Sequence, residues 1–71
     1  MTAYEQYRKA CNLLWEKKHV SVYLRNGELV AGSLFDIVSP GDDPAGLGYF
    51  AIQCEDGRVV DVSPKTIAGV A

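Results

Sequence analysis

The sequence predicts a mainly β domain, a small five-stranded antiparallel barrel capped by one N-terminal α-helix. Three observations predict it. Apolar residues recur at three- and four-residue spacing up to about Lys18, then switch after His19 to alternation. Two dipeptides, Asn26-Gly27 and Asp56-Gly57, punctuate the alternating region as tight turns. Between the hairpins lies Ser39 to Gly48, which holds two of the three Pro and three of the seven Gly and reads as a loop.

The helix is expected over about residues 2–18. Thr2-x-x-Glu5 fits a capping box, with the Thr hydroxyl accepting the Glu5 amide and the Glu5 side chain returning to the cap. Tyr4, Tyr7, Cys11, Leu14 and Trp15 share one face, while Glu5, Lys9, Asn12 and Glu16 face water. Lys17, Lys18 and His19 close the helix, where positive charge suits the dipole. The barrel occupies about residues 19–71. Val20, Val22 and Leu24 point inward from the first strand, and Ser21, Tyr23 and Arg25 point the other way. Asn26-Gly27 then predicts a type I′ turn. The second strand runs from Glu28 to about Val38, with Gly32 marking a bend or close approach that lets one strand serve both halves of a barrel. Tyr49 to Cys54 and Arg58 to Ser63 form the second hairpin. Pro64 suits the first position of a single helical turn, and Ile67 to Val70 closes the barrel so that its edges pair. Tyr7, Leu14 and Trp15 are expected to bury against one barrel end.

The chain of 71 residues has room for one domain, and its 48% hydrophobic content is that of a folded one. Seven basic against nine acidic residues give a net charge of −2, which argues against indiscriminate phosphate binding. Cys11 and Cys54 read as small buried apolar residues, with a disulfide left open. No apolar run approaches a membrane span, and the N-terminus lacks the basic start of a signal peptide, so a cytoplasmic protein with no membrane partner is expected.

Catalytic and metal-binding patterns are sparse. His19 is the sole histidine, no Ser or Cys sits in a nucleophile motif, and the Asp42-Asp43 loop lacks the alternating oxygen ligands of a calcium site. Gly46-x-Gly48 leads into a strand, not into the helix N-terminus that a phosphate loop needs. Neither an enzyme nor a cofactor is expected. Tyr23, Arg25, Phe35 and Tyr49 are better suited to binding, since exposed aromatics with Arg stack bases or anchor protein partners. Burial in the core or at the barrel mouth is the competing expectation for Phe35 and Tyr49.

Residues Val20 to Asp36, an apolar strand, an Asn-Gly turn and a Gly-containing strand with Leu34 before Asp36, resemble the first Sm motif. Val59 to Val70, with Pro64-Lys65-Thr66 between the last two strands, resembles the closing Sm strands. The resemblance spans roughly residues 18–70 and implies an SH3/Sm-like barrel. Within that group the chain is most similar to the Rof family of Rho-binding antiterminators. The likeness rests on Ala10-Cys11, Asn26-Gly27-Glu28, Asp36-Ile37-Val38 and Tyr49. It implies a non-catalytic regulator of transcription termination whose partner, Rho, presents a basic RNA-binding surface. Glu28, Asp36, Asp42, Asp43 and Tyr49 are then the candidate partner contacts, with Glu55 and Asp56 extending an acidic surface. The alternative is an Sm-like ring that binds single-stranded RNA through Tyr23, Arg25, Ser39 and Lys65. In such rings, strand four of one subunit pairs with strand five of the next. Two departures weaken base recognition by that route: Ser39 stands where Sm proteins place Asn, and Lys65-Thr66 where they carry an Arg-Gly pair.

Overall fold

A computed structural model describes residues 2–14 and 17–71 of the chain. The element order is α1 (Ala3–Leu14), β1 (His19–Leu24), β2 (Leu29–Val38), β3 (Tyr49–Cys54), β4 (Val59–Val62), a 3₁₀ turn η1 (Pro64–Thr66) and β5 (Ile67–Val70). All strand pairs are antiparallel, in the order β4-β3-β2-β1-β5. The sheet is therefore not closed: β4 and β5 are its two edges, where the sequence led us to expect paired ends. No helix among the described residues is long and apolar enough to cross a membrane.

The helix starts at the expected cap. Glu5 N–H donates to Thr2 Oγ1 at 3.2 Å. The return contact differs, because the Thr2 hydroxyl itself donates to Glu5 Oε1 at 3.1 Å. The described helix ends at Leu14, and His19 is the first residue of β1, not part of a helix terminus. Ala10 and Leu14 are the buried positions of α1, Tyr7 and Cys11 pack half-buried beside them, and Tyr4 is exposed. Trp15 and Glu16 lie outside the described residues.

Alternation sets the inner face of the sheet. Val20, Val22, Val30, Phe50, Ile52, Val62 and Ile67 bury together with Ala10 and Leu14. Tyr7 stacks on Phe50 with ring centroids 5.7 Å apart and planes at 10°, fastening the helix to the sheet. Cys11 and Cys54 are free thiols, half-buried at the margin of this core rather than within it.

Both hairpins use one loop form, and it is not type I′. Gly27 N–H donates to Leu24 C=O at 3.0 Å and Leu24 N–H to Glu28 C=O at 2.8 Å. Arg25 and Asn26 are thus the central pair, and Gly27 follows in the left-handed region at φ +92°. That is the three-residue loop with a glycine bulge. Asn26 Oδ1 accepts the Glu28 N–H at 2.9 Å and steadies it. The second hairpin repeats the design with Cys54, Gly57 and Arg58, and Asp56 Oδ1 takes the Arg58 N–H at 3.0 Å. That amide, and then the Arg58 guanidinium, hold the Asp56 carboxyl below the usual carboxylate range.

β2 serves two halves of the sheet, as its length and Gly32 predict. Its first half pairs with β1 from Leu29 to Ser33, and its second with β3 from Gly32 to Val38. At the crossover, a Cβ on Gly32 would stand 2.1 Å from the Gln53 carbonyl oxygen, so only glycine fits. Two residues on, the register slips between Leu34 and Asp36, leaving Phe35 as the extra residue of a bulge.

Burial pushes the Tyr7 phenol from 10.0 up to about 12, helped by its hydrogen bond to Cys11 and by the neighbouring Tyr4 and Asp42. A proton held more tightly in the folded state stabilises the fold below pH 10, and that stability is lost as pH rises through 12. Tyr7→Phe is therefore expected to lose less stability than the native chain between these two values, measured by urea unfolding across alkaline pH. Parallel losses in both proteins would contradict this.

Candidate protein-binding face

Phe35 is the most exposed large apolar side chain among the described residues, at 61%. Phe35 falls on the outer side with Ala31 and Ser33 by alternation, and the extra residue of the bulge puts Asp36 on that same side, paired with Ala51. The competing expectation of a core Phe35 is not met.

The same register builds a row across the sheet. Asp36 pairs with Ala51, and Ala51 pairs with Asp61 on β4. Two strand spacings set the two aspartates about 9.5 Å apart in backbone position. Ala51 between them is buried yet lies outside the interior cluster, so its methyl forms a floor on the outer face. Asp36 Oδ1 accepts the Ile37 N–H at 2.8 Å, which fixes that carboxylate. No cation stands within 4 Å of either carboxylate among the described residues. Tyr49, half-buried, pairs with Val38 two residues from Ala51 on the same side of β3. Val59, two residues from Asp61 and about half exposed, extends this side along β4.

The other expected contacts disperse. Glu28 lies at the β1–β2 hairpin. Glu55 and Asp56 lie at the β3–β4 turn, the opposite end of β3 from the Asp42-Asp43 loop. Glu55 stands 3.9 Å from His19. Asp42 is exposed and accepts the Ser39 hydroxyl at 3.1 Å. Asp43 is committed inside its loop: its carboxylate takes the N–H groups of Ala45, Leu47 and Gly48 at 3.0, 3.3 and 2.9 Å. Asp43 is therefore the clasp of the loop, and a lysine there would test folding of the loop more than partner contact.

The four residues of the RNA alternative divide as well. Arg25 Nε donates to the Lys65 carbonyl at 3.1 Å, so these two meet beside η1. Ser39 belongs to the far loop, where its carbonyl accepts the Asp42 and Asp43 amides. Tyr23, about half exposed, pairs with Leu29 and Gly69 on the outer face of β1.

Asp61 was not among the expected contacts, and its signal in the sequence is faint. It is one acid in a four-residue strand, and only the cross-strand register sets it opposite Asp36. Among the described residues no three His, Cys, Asp or Glu side chains gather as a metal site. Comparisons with protein-family models, with curated proteins and with solved structures find no match for this chain.

Proposed function

We propose that the chain is a non-catalytic protein-binding module of the SH3/Sm-like kind, a Rof-like regulator of transcription termination. Its outer face around Phe35, Asp36 and Asp61 would take a basic segment of the partner. One observation carries this: a bulge sets Asp36 on the same outer side as the exposed Phe35, in a row in which two carboxylates flank a methyl floor. A lysine or arginine stem packs on such a floor while its charge meets the flanking carboxylates. An adjoining aromatic supplies the apolar anchor that interfaces need, since charged contacts alone at an exposed site contribute little. Rho, whose RNA-binding surface is basic, is the partner the Rof resemblance implies. The test is the affinity of labelled protein for Rho. Phe35→Ala is expected to weaken binding by about 2 kcal/mol, roughly 30-fold. Asp61→Lys should also weaken it, through like-charge repulsion. Both side chains are exposed, so unfolding midpoints should stay near native. Native affinity in both variants would overturn the proposal.

The sheet edges favour a second function, the Sm-like RNA-binding ring. The Cys54–Arg58 bond makes that pair hydrogen-bonded, and alternation then points the backbone groups of Val59 and Asp61 away from β3. Likewise the two Ser21–Ala71 bonds leave Val70 facing away from β1. Two short free edges suit head-to-tail addition of copies. Light scattering on a sizing column discriminates: a ring of several subunits supports this reading, and a monomer removes it.

A further inference from the structure

A cleft of about 130 Å³ opens between α1, the first hairpin and η1, away from the Phe35 face. A single water needs roughly 10–15 Å³ on this measure, so the space suits a small molecule rather than one ion. Three cations from three different elements line it: Lys9 of α1, Arg25 of the hairpin and Lys65 of η1. Carboxylates outnumber cations nine to seven in the chain, yet none lines this cleft. Among the described residues none of the three cations forms an ion pair.

Arg25 is held in place rather than free to wander. Its backbone N–H donates to the Thr66 carbonyl at 2.8 Å and its Nε to the Lys65 carbonyl at 3.1 Å. Neither terminal amino group of the guanidinium has a protein acceptor among the described residues, and these are the donors that fork onto a phosphate. Leu13 and Ile67 supply an apolar wall, and Gln6 adds an amide at the rim. The lining is about equally polar and apolar, which suits a ligand with one charged end and one apolar body.

We propose that this cleft binds a small phosphomonoester, its phosphate between Lys9, Arg25 and Lys65 and its body against Leu13 and Ile67. Because the walls come from α1 on one side and η1 and β5 on the other, a bound ligand bridges the helix to the sheet and stabilises the docked helix. The test is a titration of the full chain with adenosine monophosphate, followed by backbone amide shifts, with adenosine and inorganic phosphate as parallel arms. Adenosine monophosphate should saturate with a dissociation constant of about 1 mM or below. It should shift amides near Lys9, Arg25 and Lys65, and adenosine should bind more weakly. Lys9→Gln and Lys65→Gln should each weaken binding about fivefold, with Lys65→Arg restoring it. Phe35→Ala should bind as the native chain does, which separates this site from the proposed partner face. The absence of saturable shifts, adenosine binding as tightly as its monophosphate, or undiminished affinity in both glutamine variants would overturn the proposal.

Discussion

Gly32→Ala is expected to leave the domain largely unfolded. The added Cβ would stand 2.1 Å from the Gln53 oxygen, 2.7 Å from its carbonyl carbon and 3.0 Å from the Cys54 Cα. All three atoms are backbone, so no side chain can swing aside, and relief requires β2 and β3 to separate where the sheet bends. Overpacking of this kind costs about 3 kcal/mol or more. A domain this small holds only about 3–5 kcal/mol in its core. Gly69→Ala is the control, since a Cβ there meets nothing within 4 Å and its φ is not positive. Urea unfolding should show a lost or greatly lowered midpoint for Gly32→Ala, with Gly69→Ala within about 1 kcal/mol of native. A native midpoint in Gly32→Ala would contradict the close approach.

Phe50→Ala should be as damaging for a different reason. Phe50 is the largest fully buried side chain among the described residues, and it carries the stacked Tyr7 of the helix. Truncation of a buried Phe removes about 3–5 kcal/mol, and here it also withdraws the ring that fastens α1 to the sheet. Thermal unfolding followed by circular dichroism should show the variant unfolded or barely folded at 25 °C. Phe35→Ala, the same change at an exposed site, should melt within a few degrees of native. Equal melting of the two variants would place Phe50 outside the core.

The contrast between these two phenylalanines shows what alternation in the sequence reveals and where it stops. Val20, Val22, Val30 and Ile52 sit on the inner face as period two requires, and the capping threonine, both turns, the loop and the helical turn at Pro64 fall where their residues predict. Phe35 faces out by the same alternation, but Asp36 joins it there only because a single inserted residue reverses the parity after Leu34, and no residue type announces where the bulge falls. The hairpin type differs from the expected one for a related reason. Asn-Gly fits both a two-residue turn and the end of a three-residue loop, and the bond from Gly27 to Leu24 decides between them. Asp42 and Asp43 look equivalent in sequence, yet Asp43 alone takes three loop amides. Closure with paired edges follows from the general advantage of a barrel, but the strand order leaves β4 and β5 as edges.

The most direct test of the proposed face is carboxylate footprinting of the chain alone and in complex with intact Rho. A water-soluble carbodiimide labels exposed Asp and Glu side chains, and mass spectrometry reads each site. Docking of a basic segment along the Phe35 face should protect Asp36 and Asp61 together. Glu28, Glu55 and Asp56, dispersed over the two hairpin turns, should label as they do in the free protein. Full labelling of Asp36 and Asp61 in the complex, with protection at those turns instead, would contradict the proposed face.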